Sequence, residues 1–185
     1  MGIGAPFESV LQAAQEGSPW AWELLFKEFA PKVRSYVALR GAMDPDDLVS
    51  ETFIQLARNI GRFEGTEANF RSWVFTVAHH RLIDERRFRT RSREQSVAPD
   101  QLPEADAEAD SEQLALDRLG EVRVAELLTL LTPDQRDVLA LRIIGELSLE
   151  ETATATDRRV GAVSQLQRRA LARLRKAIDG EGIPR

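Results

Sequence analysis

The sequence predicts an all-α protein built from two small helical domains. Apolar residues recur every three to four positions, and no segment shows the two-residue alternation with β-branched residues that is typical of a strand. A good capping residue precedes proline at Ser18-Pro19, Asp44-Pro45 and Thr132-Pro133, which is the pattern of a helix start. An acidic segment poor in large apolar residues separates the two halves. We therefore expect domains at residues 1–93 and 115–185, joined by an acidic flexible linker at 94–114.

The helix starts follow from capping residues, taken in chain order. Ser18 caps the first expected helix, and Asp44 caps the second, where two further acidic residues favour the positive end of the helix dipole. Thr132 and Ser148 each precede a glutamine or glutamate by three residues, which is the capping-box spacing. We expect helices near residues 19–39, 45–60, 69–89, 115–131, 133–145, 149–155 and 159–178.

The third of these helices has an apolar stripe at one end and a cationic end beyond it. Phe70, Trp73, Val74, Val77 and Ala78 fall on one face, because their spacing matches the helical repeat. The arginines of the other end are Arg81, Arg86, Arg87, Arg89, Arg91 and Arg93. A helix that packs at one end and is cationic at the other is suited to hold a polyanion.

The net charge of −5 does not exclude a nucleic-acid partner. Residues 94–126 contain ten acidic and only two basic side chains, so the acidity belongs to the middle segment and basic patches remain on both sides. The 43% apolar and 30% charged composition is that of a globular protein. No apolar run approaches the roughly 20 residues of a membrane span, and the first residues lack a secretory-signal pattern. We expect a cytoplasmic protein without membrane insertion.

The residue types of catalytic and metal sites are scarce. Cysteine is absent, and His79 and His80, the only histidines, are adjacent and therefore point about 100° apart on a helix. They cannot share a metal ion as a pair four residues apart can. With no glycine-rich phosphate loop and no Ser/His/Asp set, we expect no enzyme, no metal and no cofactor.

Residues 149–178 predict a helix-turn-helix motif. A short helix at 149–155 and a long helix from Arg159 are separated by a three-residue turn, and the second helix of such a motif enters the major groove of DNA. The side chains expected to read a DNA element are Arg158, Arg159, Ser164, Gln165, Gln167 and Arg168. Arginine and glutamine pair bidentately with guanine and adenine. The alternative is a plain helical hairpin with a solvated basic face.

Two stretches of the chain resemble the bacterial sigma factors of RNA polymerase. Asp44-Pro-Asp-Asp-Leu-Val-Ser-Glu-Thr-Phe, followed by Phe70-Arg-Ser-Trp-Val-Phe-Thr-Val-Ala-His-His-Arg-Leu-Ile-Asp, is similar to their second conserved region. Leu131-Thr-Pro-Asp-Gln-Arg-Asp-Val-Leu-Ala-Leu-Arg, with Leu147-Ser-Leu-Glu-Glu-Thr-Ala and Gly161-Ala-Val, resembles their fourth. The short length resembles the extracytoplasmic-function group of the sigma-70 class. The resemblance covers about residues 19–93 and 123–178.

The resemblance implies roles for the N-terminal domain, as a region 2 helical bundle. The helix over residues 44–57 would bind the clamp helices of the largest polymerase subunit, through Asp47, Leu48, Glu51, Phe53 and Leu56. Residues 59–69 would capture an unstacked base of the −10 element, and the following helix would contact phosphates. The residues implied for the −10 element are Arg62, Phe63, Asn69, Arg71, Arg81, Arg86 and Arg87. Phe63 and Trp73 have a second interpretation as core anchors, which we favour.

The resemblance also implies a region 4 domain that reads the −35 element and binds the flap of the second-largest polymerase subunit. An anti-sigma or other regulatory protein is a further implied partner. The sequence departs from the family at Thr152 and Thr156, where apolar residues usually pack, at Asp157, where glycine is common, and at Leu166-Gln167. A buried threonine hydroxyl without a partner costs about 1–3 kcal/mol.

Two other functions remain open from the sequence. A free-standing helix-turn-helix regulator would bind DNA without polymerase, usually as a symmetric dimer. A regulator that sequesters other factors would bind a partner and start no transcription.

Overall fold

The all-α prediction is confirmed in the part of the chain that the structure describes. A computed structural model describes residues 6–95 and 126–180. Its α-helices are α1 (Phe7–Gln15), α2 (Pro19–Leu39), α3 (Pro45–Asn59), α4 (Glu67–Gln95), α5 (Pro133–Ile143), α6 (Leu149–Ala155) and α7 (Val160–Gly180), with a 3₁₀ turn at Ile60–Arg62. Residues 126–129 are also helical; the rest of the helix expected at 115–131, and most of the expected linker, lie outside the described residues.

Most predicted helix ends agree with the structure, with three differences. Helix α4 runs over Glu67–Gln95 rather than 69–89, so its cationic end is six residues longer than predicted. Helix α1 was not predicted, because its nine residues are preceded by Pro6 with no side-chain cap. Helix α5 ends at Ile143 rather than at Gly145, and the left-handed residue that follows is Glu146, with φ 53°. The capping boxes predicted at Thr132 and Ser148 are both formed.

Helices α1 to α4 form the N-terminal unit. Helix α3 packs on both α2 and α4, and α1 packs on α2. The largest fully buried side chains are Tyr36, Phe29, Phe70, Phe75, Leu25, Leu56 and Leu82. Burial of such side chains is the main stabilising contribution to a small bundle, at roughly 1.5–3 kcal/mol for each. The apolar stripe predicted on α4 faces this core.

Helices α5 to α7 form the C-terminal unit, a helix-turn-helix with α6 and α7 as its two helices. It has two small apolar clusters of its own, one around Leu131, Leu139 and Ala170 and one around Val138, Ala153 and Val163. Each is much smaller than the N-terminal core. The C-terminal unit therefore has little apolar surface buried within itself.

The two units share one apolar core. Leu141 and Leu147, from around α5, and Ala155, from α6, are buried in the same cluster as the α4 residues Phe75 and Val77. Helix α6 lies along α4, and α5 also contacts α2. We call this contact the inter-unit interface. None of the helices in the described ranges has the length and hydropathy needed to span a bilayer.

Candidate nucleic-acid interface

Helix α3 presents a solvent face that carries acidic and apolar side chains together. Asp47 and Glu51, both exposed, lie one turn apart on this face. Ile54 follows at the next turn and has 51% of its surface exposed. Exposed large apolar side chains beside charged ones are typical of a protein-binding surface, because they gain stability when a partner covers them.

The other three residues predicted for this partner contact point inward. Leu48, Phe53 and Leu56 are 4%, 8% and 0% exposed, so they position α3 rather than offer it to a partner in this conformation. Phe53 packs on Phe26 of α2, with ring centroids 4.8 Å apart. Phe26 is itself 48% exposed and continues the apolar surface from Ile54.

Sequence reasoning missed Ile54 and Phe26. The signal for Ile54 was available, since it lies seven residues after Asp47, on the polar face of an amphipathic helix. Phe26 had no such signal, because it lies on a different helix. We call the α3 surface the exposed set formed by Asp47, Glu51, Ile54 and Phe26.

The loop between α3 and α4 is held in shape by its own side chains. Asn69 Oδ1 accepts hydrogen bonds from the Thr66 N–H at 3.0 Å and from the Thr66 hydroxyl at 2.8 Å. The Asn69 N–H donates back to the Thr66 hydroxyl at 3.3 Å, which forms a reciprocal cap at the start of α4. Gly65 has φ 150°, and a methyl group there would lie 2.9 Å from Asn69 Cβ. Asn69 therefore orders the loop in addition to any contact with DNA.

Two aromatic side chains of this site stack on each other. The rings of Phe63 and Trp73 are nearly parallel, at 12°, with centroids 5.1 Å apart. Phe63 also meets Phe70 edge-on at 5.3 Å. Both side chains are only half-buried, and that of Arg62, the preceding residue in the chain, is exposed. The structure thus gives Phe63 the packed position that we favoured, at the edge of the loop.

Helix α1 secures the same loop from outside. The Gln15 amide nitrogen donates hydrogen bonds to the carbonyls of Ile60 and Phe63, at 3.0 and 2.9 Å. Two main-chain carbonyls of the loop are satisfied in this way by one side chain. Gln15 is a positioning residue that sequence reasoning missed, because a lone glutamine at a helix end carries no distinctive signal.

The arginines predicted to contact phosphates differ in their surroundings. Arg81 donates to the Gln55 side chain and Arg86 to the Arg40 carbonyl, and both are half-buried. Burial lowers the pKa of Arg86, and the nearby Arg40 adds to this effect. Arg87 is exposed, with Asp84 at 3.7 Å. Arg71 pairs across the inter-unit interface with Glu146 at 3.1 Å. Arg62 and Arg87 are therefore the most accessible of this set.

Helix α7 presents one continuous polar face. Its exposed residues recur at helical spacing and are Gly161, Ser164, Gln165 and Arg168. Arg159, just before the helix, is also exposed. Arg168 donates to the Gln165 side chain at 2.7 Å, which holds both side chains together on this face. Gln167 lies at its flank and is half-buried, and Arg158 pairs with Asp134 of α5 at 2.9 Å. We call Arg159, Ser164, Gln165 and Arg168 the α7 face.

The departures noted in this unit have structural consequences. Thr152 is fully buried and its hydroxyl has no partner among the described residues, whereas the Thr156 hydroxyl donates to the Thr152 carbonyl at 2.7 Å. Asp157 adopts φ 51°, a left-handed conformation that glycine adopts without strain. Leu166 packs on the small cluster around Val163. The motif forms in spite of these residues.

No group of three or more metal-ligating side chains is found within residues 6–95 and 126–180. The described residues present three accessible surfaces: an acidic and apolar one on α3, an aromatic loop with exposed arginine, and a cationic helix face on α7.

Comparison with protein families gives two matches. The family model described as Sigma-70 region 2 matches residues 25–93, and the one described as Sigma-70, region 4 matches residues 127–176. Among curated proteins, the chain is 30% identical to the ECF RNA polymerase sigma factor SigD of Mycobacterium tuberculosis, over 97% of this chain and 87% of SigD. It is 28% identical to the ECF RNA polymerase sigma factor BldN of Streptomyces coelicolor, over 93% of this chain and 66% of BldN.

Solved structures with the same fold include CnrH in complex with the cytosolic domain of CnrY. That structure gives a TM-score of 0.65 at 24% identity and covers 92% of this chain and 96% of its own. The sigma factor RpoE in complex with the anti-sigma factor NepR from Bartonella quintana gives 0.64 at 21% identity, covering 85% and 96%. At these identities the likeness shows a shared fold.

Proposed function

This chain belongs to the extracytoplasmic-function group of the sigma-70 family, and we propose on that basis that it binds core RNA polymerase and directs initiation to specific promoters. The protein is not an enzyme; it acts by binding. The observation that carries the proposal is the occurrence of both family regions in order, each with an accessible surface suited to its partner.

The α3 surface is the proposed site for polymerase. Asp47 and Glu51 would face basic groups of the clamp helices, and Ile54 with Phe26 would be covered by apolar ones. The acidic pair would steer the encounter, while the apolar pair would supply burial. Leu48, Phe53 and Leu56 of the sequence prediction face inward, so we propose Ile54 and Phe26 in their place as the apolar contact residues.

The loop and helix α4 are the proposed site for the −10 element. The Phe63–Trp73 pair has an open side on which an unstacked base would lie, and Arg62 and Asn69 are at its edge. Base stacking on an aromatic ring is worth about 1–3 kcal/mol, so this contact helps to hold the strand open. Arg71, Arg81, Arg86 and Arg87 are proposed as phosphate contacts along α4, and melting needs no covalent step.

The α7 face is the proposed site for the −35 element. Gln165 and Arg168 would reach base edges in the major groove, and Arg159 would contact the backbone. The −10 and −35 contacts lie on one chain, so binding of one raises the effective concentration of the other. The two weak contacts together therefore bind DNA more tightly than either alone. The structural neighbour RpoE is in complex with the anti-sigma factor NepR, and we propose that a regulatory protein of this kind also binds here.

Transcription in vitro tests the proposal. Purified core RNA polymerase, this protein and fragmented host DNA should give discrete transcript starts that share two upstream elements. The variant Asp47→Arg with Glu51→Arg should give no starts while keeping its helical circular dichroism. A protein that shifts duplex DNA alone but yields no starts would be a free-standing regulator, and silence in both assays would indicate a sequestering protein.

A further inference from the structure

Helix α1 ends against the loop between α3 and α4, although it lies ahead of the residues that match Sigma-70 region 2. That match begins at residue 25, whereas α1 spans Phe7–Gln15. Gln15 is the last residue of α1, and it contacts Ile60 and Phe63, which lie 45 and 48 positions further along the chain. This contact joins a segment outside the matched residues to the loop proposed for the −10 element.

The Gln15 side chain closes the 3₁₀ turn that carries Arg62. Within this turn the Phe63 N–H donates to the Ile60 carbonyl at 2.9 Å. The Gln15 amide nitrogen donates to the carbonyls at both ends of the turn, that of Ile60 at 3.0 Å and that of Phe63 at 2.9 Å. Gln15 thus fixes the backbone on either side of Arg62, and with it the backbone from which the Phe63 ring projects.

The position of Gln15 is itself fixed, because α1 is packed on the core. Val10 and Ala14 are 0% and 2% exposed. The indole N–H of Trp22, in α2, donates to the Ala14 carbonyl at 3.2 Å. Gly17 has φ 81° and turns the chain directly after the helix. A side chain that projects from a rigid helix holds a loop in place more precisely than one that projects from another loop.

Helix α1 also contacts the aromatic side chains of the site. The ring of Phe7 lies 5.6 Å from that of Phe70, measured between centroids. Phe70 is fully buried and meets the rings of Phe63 and Trp73 at 5.3 and 5.7 Å. The two ends of α1 therefore contact the two parts of the site, the aromatic cluster through Phe7 and the turn through Gln15.

We infer that Gln15 is a positioning residue for recognition of the −10 element. It holds the turn, before DNA binds, in the shape in which Arg62 and the Phe63–Trp73 pair meet an unstacked base. The inference rests on the proposed function, since it takes a DNA strand as the ligand of the loop. It goes further by assigning a determinant of promoter recognition to α1, outside the residues that match region 2.

Preorganisation is the physical basis of this role. A loop that becomes ordered only when its ligand binds loses conformational entropy at that step, so a loop that is already ordered binds more tightly. A fixed loop also discriminates better between bases, because a mobile loop can adapt to the wrong one. The loss of the Gln15 hydrogen bonds should therefore lower both the affinity for the −10 strand and the discrimination between bases in it.

Amide hydrogen exchange in the free chain tests the first part of the inference. Gln15→Met keeps the length of the side chain and removes both donors, and methionine has nearly the same helix propensity as glutamine. Exchange of the Phe63 amide, followed by nuclear magnetic resonance, should become about three- to tenfold faster in this variant. An unchanged rate would overturn the inference, because the turn would then not depend on Gln15.

Gln12→Met is the matched control for this measurement. Gln12 is also exposed on α1, and its amide nitrogen donates to the side chain of Glu16 at 3.1 Å. The same substitution there removes a hydrogen bond of α1 without affecting the turn, so the exchange rate of Phe63 should stay as in the unmodified protein. An equal acceleration in both variants would show a general loosening of α1 and would overturn the role given to Gln15.

Binding of DNA by the assembled holoenzyme tests the second part. The probes are a single strand that carries the −10 element, the same strand with single-base changes, and a duplex that carries the −35 element. Gln15→Met should bind the −10 strand about three- to tenfold more weakly and discriminate severalfold less between the single-base variants. Its affinity for the −35 duplex and for core polymerase should not change, because a positioning role for the loop affects neither contact.

Gln15→Glu tests the direction of the hydrogen bonds. A carboxylate can only accept, so it repels the carbonyls of Ile60 and Phe63 and should weaken binding of the −10 strand more than Gln15→Met does. Gln12→Glu places the same charge on the same helix and controls for repulsion of DNA by a new anion. An equal effect of the two glutamate variants would assign the loss to charge and would overturn the inference.

The unmodified holoenzyme separates failure of the inference from failure of the proposed function. If it binds all single-base variants of the −10 strand equally well, the proposed role of the loop is wrong and the inference is overturned with it. If it discriminates between them and Gln15→Met discriminates equally well, the inference alone is overturned.

Discussion

At the scale of single residues, His79 shows how burial alters a titratable group. Burial lowers the pKa of His79 to about 4, and the nearby His80 and Arg40 add to this effect. Its ring is therefore neutral near pH 7, and its 4.0 Å approach to Asp137 is not a salt bridge. The unfolded chain takes up this proton below about pH 6.5, so stability should decrease as the pH falls from 6.5 towards 4.

The His79→Gln variant tests whether His79 makes the protein less stable as the pH falls. The free energy of unfolding of the unmodified protein should fall by about 1 kcal/mol more than that of the variant between pH 7.5 and 5.5. The raised pKa of Asp137 acts in the opposite direction but is present in both proteins, so it cancels in the comparison. Urea unfolding at the two pH values gives the result; equal pH dependence would show that folding does not shift the pKa of His79.

Thr152 is a second single residue whose surroundings lower the stability of the protein. Its hydroxyl is fully buried without a partner among the described residues, while its methyl group packs in the helix-turn-helix. Thr152→Val keeps the shape and removes the hydroxyl, so it should stabilise the protein by about 1 kcal/mol. Thermal unfolding measures the gain. Thr154→Val is the matched control, since Thr154 lies two residues further along α6, is exposed, and already donates its hydroxyl to the Glu150 carbonyl.

At the scale of elements, helices α3 and α7 each separate a packing face from a binding face. In α3 the inward face holds the bundle together through Leu56, and the outward face carries Asp47 and Ile54. In α7 the inward face packs through Val163 and Ala170. The outward face carries Gln165 and Arg168. Substitutions on the outward faces should therefore change binding without loss of structure.

Ile54→Asp should weaken assembly with core polymerase at least tenfold, because it places an unsatisfied charge in an apolar contact. Ile54→Val keeps the apolar surface and should bind nearly as well. Assembly can be followed by native gel shift of labelled core enzyme, with circular dichroism as the test of folding. Undiminished assembly of the aspartate variant would exclude Ile54 from the polymerase site.

Arg168→Ala should weaken use of the −35 element and leave assembly with polymerase intact. Loss of a base-edge contact by an arginine costs about 1–3 kcal/mol of discrimination at the base pair that it reads. Binding of the assembled holoenzyme to the promoter and to single-base variants of its −35 element measures this discrimination. Lys176→Ala, at an exposed cation eight residues further along α7, serves as the control and should leave the discrimination unchanged.

At the scale of the whole molecule, the two family regions share one apolar core at the inter-unit interface. The C-terminal unit buries few apolar residues by itself, so part of its order depends on contact with α4. Besides the buried Arg40–Asp137 pair, the more exposed Arg71–Glu146 pair contributes to the contact.

Glu146→Lys should lower the free energy of unfolding by about 0.2–1 kcal/mol, since partly exposed ion pairs are worth about this much. Glu146→Gln should give a smaller loss, because it removes the attraction to Arg71 without adding a second cation. Urea unfolding measures both variants. A loss larger than that of Asp137→Asn, which leaves the buried Arg40 without a charged partner, would place the main electrostatic contact at Arg71 instead.

Much of the fold followed from local patterns in the sequence. The prolines after Ser18, Asp44 and Thr132 marked helix starts, and the capping boxes at Thr132 and Ser148 were formed as predicted. Helix α1 had no such signal and was missed. The residues predicted for polymerase and DNA remain predictions, although Leu48, Phe53 and Leu56 are now placed in the core. The boundaries of the two domains also remain a prediction.

By itself, the sequence determined the helical class, the order of the two conserved regions and the family. Capping, helical periodicity and turn chemistry act between residues close in the chain, so they can be read along it. Only the tertiary structure decided that Gln15 secures the loop at Phe63 and that Arg40 meets Asp137 across ninety-seven positions. Such contacts depend on how helices pack in three dimensions, which no local pattern encodes.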